Sequence, residues 1–439
     1  MKDILLKLRR NLLWTWEPKS EKESGDAIVK NMLLHWFPNK VNLRSLSWGY
    51  SFYLGTISFA LFLILVVTGV ILMFFYVPSV ERAYSSVKDI EYVISFGRLL
   101  RSTHRVAAHL MVASVFLHMV RVFLTGAYKN GPAAGAKRPL NWVIGLALLL
   151  STLLLSFTGY LLPWDQLAYC AITVGTNIGS SAPVVGEFVK FFLLGGNYIE
   201  QNTLIRFYVL HVFFLPTILF LLFGYHMWRV RKDGGLAASD YDAMNQPKEL
   251  VEPVATKTYS LLGIRSGESV HVQSRMVNEE ANSVSSSPHL VRRIWLVMLV
   301  TCLLTVGLAM FVHAPLEAPA NPSVTPNPAK APWYFLWLQE IVTVTTVHLG
   351  SFTINGALIG GILLPGFLMA LAAWWPFRDR TSAMSTGTWF APERRRQNMI
   401  FLGVMLLIVI FTIIGTYLRG PYWGWYWPWE IWPEMPQRF

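Results

Sequence analysis

Charged residues and cysteines are both scarce in this sequence. Lysine, arginine, aspartate and glutamate make up only 14% of the 439 residues, whereas a soluble globular protein carries about 25%. Hydrophobic residues make up 54%, which is more apolar surface than a water-exposed fold can bury. These proportions exclude a soluble enzyme, a disordered chain and a fibrous protein. The only two cysteines, Cys170 and Cys302, exclude a disulfide framework and a cysteine cluster for zinc or an iron–sulfur centre.

Seven apolar stretches of about 20 residues are each long enough to cross a bilayer. They lie at residues 52–75, 105–125, 142–162, 205–229, 294–313, 352–375 and 399–418. None resembles a cleaved signal peptide, because the first begins after fifty residues and no small-residue cleavage site follows it. The sequence therefore predicts an all-α membrane protein with seven transmembrane helices.

These stretches divide the chain into five predicted parts. They are a cytoplasmic N-terminal segment (1–50), a four-helix transmembrane domain (51–232), a polar cytoplasmic linker (233–290), a three-helix transmembrane domain (291–419) and an aromatic tail (420–439). The tail begins just after Arg419 in the run RGPYWGWYWPWEIW, which is typical of an aromatic belt at a membrane interface.

The basic residues are distributed unequally between the two sides of the predicted spans. Nine precede the first span, and nine more occur from Arg229, at the end of the fourth span, to Arg293, just before the fifth. The connections on the opposite side hold only six: Arg82, Lys88, Arg98, Arg101, Lys190 and Lys330. The positive-inside rule then places the N-terminus on the cytoplasmic side of the cell inner membrane or an equivalent energy-transducing membrane. The net charge of +12 does not indicate nucleic-acid binding, because the basic residues sort by membrane side.

Four histidines occur at matched spacing within two of the predicted helices. His104 and His118 are fourteen residues apart. His211 and His226 are fifteen apart. At about 100° per residue the members of each pair lie within roughly 60° of one helix face, about 21–22 Å apart along the axis. Two such helices facing each other would present two His–His levels, each suited to a haem with two axial imidazoles. His109 lies about 140° around the helix from His104 and is interpreted as a structural or pocket residue.

Glycines and arginines near these levels support a haem site. Gly55 and Gly69 of the first span, and Gly145 and Gly159 of the third, repeat the fourteen-residue spacing. Missing side chains there would let a bulky ring approach the backbone. Four arginines lie beside the histidines, where haem propionates need cationic partners: Arg101, Arg105, Arg206 and Arg121. Ordinary interfacial anchoring is the alternative role for each arginine.

The motifs around these residues resemble cytochrome b of the Rieske/cytochrome b complexes. They are RSTHRVAAHLM, LHMVRVFLTGAYK, TGYLLPWDQLAY, TLIRFYVLHVFFLP and HMWRVRKDGG, and EAPANPSVTPNPAKAPWYFLWLQE resembles the family's C-terminal part. The resemblance covers about residues 45–420. In plastid-type members the two halves are separate chains. In this sequence the two halves look fused.

The resemblance implies that the first four helices form a di-haem four-helix bundle with two non-covalent haem b groups. His104 and His211 would bind the low-potential haem near the positive side of the membrane. His118 and His226 would bind the high-potential haem near the negative side.

The implied function is that of a proton-translocating quinol–cytochrome c type oxidoreductase. Quinol would bind between Pro163-Trp164 and the Trp333-Tyr334 loop. One electron would pass to a separate Rieske iron–sulfur protein and on to a c-type cytochrome or an equivalent acceptor. The other would cross through both haems to a quinone. The expected partners are these proteins, the quinone pool, membrane lipid and the other subunits of a dimeric complex.

The sequence departs from the family pattern at two positions. Plastid-type members have a cysteine at the start of the first helix that anchors an extra c-type haem, but this chain has Tyr53 there, so covalent attachment is not expected. The family's Pro-Glu-Trp-Tyr motif carries an acid that takes a proton from quinol, and this chain has Pro332 at the acid's position. Glu340, eight residues on, either replaces that acid at the mouth of the quinol pocket or is a surface helix residue.

Two other functional classes explain only part of the sequence pattern. A di-haem anchor that relays electrons between quinone and a dehydrogenase would explain the histidines, but not the loop before Trp333 or the last two spans. A transporter with a histidine proton relay predicts broken helices and mid-membrane acids, which the first four spans lack. A spectrum of b-type haem would eliminate the transporter.

Overall fold

A computed structural model describes residue 18 and residues 20–30, 37–130, 137–233, 235–237 and 283–431 of the chain. Most of the predicted linker, residues 238–282, lies outside the described residues, and so does the end of the aromatic tail.

Twelve helices of nine or more residues occur in the described part of the chain. They are α1 (Glu21–Lys30), α2 (Leu54–Met73), α3 (Ala83–Tyr92), α4 (Gly97–Leu124), α5 (Arg138–Leu161), α6 (Gln166–Ser180), α7 (Gly186–Leu194), α8 (Gln201–Lys232), α9 (Ser286–Phe311), α10 (Trp333–Thr345), α11 (Gly356–Arg378) and α12 (Pro392–Leu418). Seven of them, α2, α4, α5, α8, α9, α11 and α12, are long and apolar enough to cross a membrane, which confirms the predicted spans.

Two short antiparallel ribbons accompany the helices. Strand β1 (Lys40–Asn42) pairs with β2 (Ser283–Ser285), and β3 (Val347–Leu349) pairs with β4 (Phe352–Ile354). The first ribbon joins segments that lie on either side of the first four spans.

Local side-chain chemistry sets several helix starts. Pro139 occupies the first turn of α5, where its missing N–H costs no hydrogen bond. Asp165 caps α6 by accepting a hydrogen bond from the backbone N–H of Ala168 at 2.9 Å. Glu200 and Thr203 form a reciprocal capping box at the start of α8. These side-chain caps therefore help to fix the α5–α6 and α7–α8 corners.

The first four spanning helices pack as a bundle: α2 lies against α4, α4 against α5, and α5 against α8. An apolar layer fills its middle, formed by Leu61, Phe62, Ala107, Met111 and Leu219. In each helix these residues lie between the two histidine levels, so the levels are separated by closely packed hydrocarbon side chains.

The second half of the chain packs onto this bundle. Helix α9 lies against α2 and α4, α11 against α5, and α10 against α12. Tyr53, at the position of the family's anchoring cysteine, is buried in a cluster with Leu290 and Val297 of α9 and donates a hydrogen bond to the Leu46 carbonyl at 3.0 Å. The side chain at this position therefore serves core packing.

A buried polar cluster connects the two halves at the His118 end of the bundle. Asp379, which follows α11, accepts a hydrogen bond from Tyr128 at 2.7 Å and lies 3.4 Å from Lys129 and 3.5 Å from Arg394. The side chains of Asp379 and Arg394 are completely buried. Burial alone raises the pKa of Asp379, but hydrogen bonds from Thr381 and Tyr128 and the charge of Lys129 bring it below the usual value.

Candidate functional site

His104 of α4 and His211 of α8 face each other across the bundle. Their ring centroids are 6.3 Å apart, and the ring planes are inclined by 74°. Metal–imidazole bonds of about 2 Å and rings of about 1 Å radius would place two axial imidazole centroids about 6 Å apart. The separation therefore fits one metal bound between the two rings.

Two threonine hydroxyls hold the imidazoles at this level in a defined tautomer. The Thr68 oxygen lies 2.8 Å from Nδ1 of His104, and the Thr158 oxygen lies 3.2 Å from Nδ1 of His211. Thr68 donates its own proton to the Ile64 carbonyl, and Thr158 donates to the carbonyls of its preceding turn. Because each hydroxyl proton is already used, the oxygen accepts from Nδ1–H, which leaves Nε2 as the nitrogen that can bind a metal.

Each predicted clearance glycine lies directly beside one of the four histidines. Gly69 lies beside His104, Gly159 beside His211, Gly55 beside His118 and Gly145 beside His226. A Cβ at Gly55 or Gly69 would lie 3.3 Å from the imidazole, and one at Gly159 would lie 3.0 Å from both ring nitrogens of His211. These glycines therefore make room for the imidazole rings themselves.

The second level is built from the other histidine of each helix. His118 and His226 lie close enough for their charges to interact. Within the described residues, no three or more His, Cys, Asp or Glu side chains are grouped to hold a metal ion. Two facing imidazoles, as at the His104–His211 level, therefore suit a metal whose remaining donors come from its own macrocycle, as in haem.

A π-helical turn in α8 accounts for the unequal histidine spacing. Residues Leu210–Phe214 form this turn, and it contains His211. Its i→i+5 bonding takes up about one more residue than an α-helical turn. The fifteen residues from His211 to His226 therefore match the fourteen from His104 to His118. A uniform rotation of 100° per residue does not reveal this turn, although the fifteen-residue step is its signal in the sequence.

The four predicted arginines have different surroundings. Arg105 and Arg101 both line a cavity beside His104. The Arg101 guanidinium also binds Glu91 at 2.7 Å and the Ala314 carbonyl at 2.9 Å. Arg121 stacks over a tyrosine ring, 4.6 Å from its centroid. Arg206 donates to the carbonyl of Phe192 near the end of α7 and does not line this cavity.

The cavity at the His104 level has a volume of about 300 Å³ and extends beyond the histidine pair. Pro163, His109, Pro332 and Tyr334 line its other part. The structure thus brings the end of α5 and the start of α10, between which quinol is expected to bind, to one space, although Trp164 and Trp333 are not among its lining residues. Burial raises the pKa of Tyr334, so its hydroxyl stays protonated at neutral pH.

Hydrogen bonds fix the loop that leads to α10 against the α5–α6 corner. The Gln166 amide accepts from the Asn321 N–H at 2.7 Å and donates to the Val324 carbonyl at 2.6 Å. The backbone N–H of Gln166 also donates to Ala318 at 2.9 Å. One wall of the cavity is therefore held in place by a glutamine that the sequence gave no reason to select.

Comparison with known proteins agrees with this geometry. A sequence model of the family described as "Cytochrome b/b6/petB" matches residues 41–234. Cytochrome b6 of Prochlorococcus marinus (strain MIT 9303) is 39% identical over 215 residues, which are 49% of this chain and 92% of the relative. The chain belongs to the cytochrome b/b6 family. Cytochrome b6 of Heliomicrobium gestii is 41% identical over 183 residues, covering 42% of this chain and 83% of the relative.

A solved structure is similar over a longer part of this cytochrome b. It is described as "Hyperthermophilic respiratory Complex III", is 25% identical, has a TM-score of 0.63 and covers 84% of both chains. This share exceeds the region matched by the family, so the likeness extends into the second half and agrees with a fused form.

Glu340 is not where the helical spacing predicted it to be. Its side chain is 1% exposed and bound by Arg419 of the chain's C-terminal region, with the shortest contact at 2.5 Å. It is not among the residues that line the cavity. The alternative of a surface residue is also wrong, because the carboxylate is buried in an ion pair. In this cytochrome b, the side of α10 that bears Glu340 packs towards α12 instead of the cavity.

Proposed function

We propose that this chain is the cytochrome b subunit of a quinol-oxidising Rieske/cytochrome b complex and holds two non-covalent haem b groups. The observation that carries the proposal is the pair of facing imidazoles, His104 and His211, with Nδ1 of each hydrogen-bonded to a threonine. The complex would transfer electrons from quinol across the membrane and couple that transfer to proton translocation.

The histidines supply the haem ligands at two levels, His104 with His211 and His118 with His226. Haem, when bound, supplies one-electron redox chemistry at each level. The helical rise places the levels about 21 Å apart, which divides the membrane crossing into shorter electron steps. The apolar layer between them excludes water. Arg105 and Arg121 would pair with haem propionates, whereas Arg101 and Arg206 also hold neighbouring segments in place.

Quinol would bind in the outer part of the cavity at the His104 level. The Tyr334 hydroxyl is a polar group at its wall, and Pro163 and Pro332 give it apolar contacts. The indole of Trp333 hydrogen-bonds to His109, which also lines the cavity. This continuous space would bring quinol close to the haem ligands. The partners would be a Rieske iron–sulfur protein, a c-type cytochrome or equivalent acceptor, and the other subunits of a dimeric complex. The N-terminus would be cytoplasmic.

The test is haem stoichiometry and turnover of the purified complex. A pyridine haemochrome assay should give two protohaems per chain, and a denaturing gel stained for haem should show none covalently bound to this chain. The complex should also reduce a soluble c-type cytochrome with a quinol analogue and contain an iron–sulfur protein. A ratio near zero or one, or the absence of quinol-dependent turnover in an intact complex, would contradict the proposal.

A further inference from the structure

His109 lies in the part of the cavity where quinol is proposed to bind. It is on α4, about 140° around the helix from His104, so it points away from the histidine pair. Its ring is 5.7 Å from that of Tyr334. Trp333 donates a hydrogen bond from its indole Nε1 to Nδ1 of His109 at 3.0 Å. His109 thus contacts both aromatic residues at the start of α10.

The hydrogen bond from Trp333 defines the protonation of His109. An indole N–H is only a donor, so Nδ1 must present a lone pair and Nε2 carries the proton of the neutral ring. His109 is therefore held as a base whose acceptor nitrogen faces the start of α10. Trp333 is 42% exposed, so its N–H can bind water when it releases this nitrogen.

The other titratable groups at the cavity are less suited to accept a proton. They are Tyr76, Arg101, His104, Arg105, Tyr160, Asp165, Tyr208, His211 and Tyr334. The two histidines are the proposed haem ligands, and arginines and tyrosines are already protonated at neutral pH. The carboxylate of Asp165 accepts backbone hydrogen bonds from Ala168 at 2.9 Å and Glu317 at 3.3 Å, so it is engaged in capping α6 and fixing the loop.

We propose that His109 Nδ1 accepts the proton that quinol releases in this cavity, in place of the acid that is missing at Pro332. The inference rests on the proposed quinol site. A quinol hydroxyl replaces the Trp333 N–H at Nδ1, and its O–H bond breaks with the bonding pair left on oxygen. The proton forms an Nδ1–H bond, and one electron passes from the substrate to the iron–sulfur protein. Arg105 and the resulting imidazolium repel each other, which favours onward release of a proton from Nε2 to water.

The experiment compares steady-state turnover of the purified complex with a ubiquinol or menaquinol analogue and a soluble c-type cytochrome. His109→Gln should lower turnover by about 100-fold or more, the usual contribution of a general base. Both haems should stay bound, with unchanged spectra. His348→Gln is the control, because His348 lies in β3 and bonds only to Thr353 among the described residues.

A pH profile separates proton acceptance from mere positioning. Turnover of the unmodified complex should fall as the pH drops, because a protonated His109 cannot accept a further proton. This acid limb should be absent from the residual activity of His109→Gln. His109→Glu restores a base of lower pKa, so it should recover most of the turnover and move the limb to lower pH.

Two results would overturn the assignment. One is unchanged turnover in His109→Gln. The other is slow turnover that keeps the acid limb and is not recovered by His109→Glu, which would make His109 a positioning residue. If the unmodified complex binds both haems but does not oxidise quinol, the proposed function fails first and this inference fails with it.

Discussion

The hydroxyl of Thr68 lies 2.8 Å from Nδ1 of His104 while donating its own proton to the Ile64 carbonyl at 2.6 Å. The α5–α8 pair repeats this arrangement with Thr158 and His211. In both α2 and α5 the threonine immediately precedes the glycine beside the same histidine. Each Thr-Gly pair therefore does two things at one level: it orients an imidazole and leaves room for it.

Thr68→Val should weaken haem binding at the His104 level without unfolding the bundle. Valine keeps the shape of threonine but accepts no hydrogen bond, so Nδ1–H loses its partner and the ring loses its orientation. Loss of such a partner lowers metal affinity by about 10- to 100-fold. Haem retention against a haem-scavenging protein measures this. Ser58→Ala, on the same helix but bonded to Ser114, should not change retention.

Gly159→Ala and Gly145→Ala should differ sharply. A Cβ at Gly159 would lie 3.0 Å from both ring nitrogens of His211, whereas one at Gly145 would lie an ordinary 3.7 Å from the nearest atom of His226. Overpacking of this kind costs about 1–3 kcal/mol. Spectra of the purified variants should show loss of the haem at the His104 level in Gly159→Ala only. Retention of both haems in that variant would show that the ring can move aside.

His118→Ala and His226→Ala should produce the same spectrum. Each removes one axial ligand of the same proposed haem, while the ligands His104 and His211 stay in place. Reduced-minus-oxidised spectra and redox titration of the two variants provide the comparison. Loss of different haems in the two variants would show that α4 and α8 are not paired by level.

Glu340→Gln should destabilise the protein without changing turnover per bound haem. The change leaves Arg419 in a partly buried site without its carboxylate, and breaking a buried pair costs about 3–5 kcal/mol. Thermal loss of haem absorbance in detergent measures the stability. Glu340→Leu combined with Arg419→Leu removes both charges and should recover much of it. A large fall in turnover of the intact Glu340→Gln complex would instead support the role first expected for this acid.

Asp379 should make stability depend on pH in the acid range. Its folded-state pKa is below the usual value, so its stabilising contribution is present above the unfolded pKa of about 4 and is lost as the pH falls through the folded value. Asp379→Asn should be less stable than the unmodified protein at pH 7. Thermal denaturation over a pH series should show this difference shrinking below about pH 4. A difference that stays constant with pH would exclude the carboxylate as its source.

Helix positions and the histidine levels were predictable because both depend on spacing along one chain segment. Apolar length identified the seven spans, and fourteen-residue intervals identified the four glycines. Side-chain partners from distant segments were not predictable. Glu91 of α3, a short helix that the apolar pattern does not predict, binds Arg101 of α4. The direction of Glu340 likewise depends on Arg419, which is distant in sequence.

His109 shows what spacing along the sequence can and cannot predict. Its angle from His104 separates it from the proposed haem ligands, but rotation about α4 alone does not show which other helix it contacts. The contact with Trp333 depends on how the second half packs against the first. The proposed proton acceptor therefore depends on a contact between two residues that are 224 positions apart in the chain.

The cluster of Asp379, Lys129 and Arg394 has a consequence for the fusion of the two halves. It joins them at one end of the bundle, and the bonds of Gln166 to Asn321 join them at the other. Non-covalent contacts thus hold the two halves together at both ends of the bundle. Their association therefore does not depend on the peptide connection between them. What the shared chain guarantees is synthesis of the two parts in equal numbers and their immediate proximity at high effective concentration.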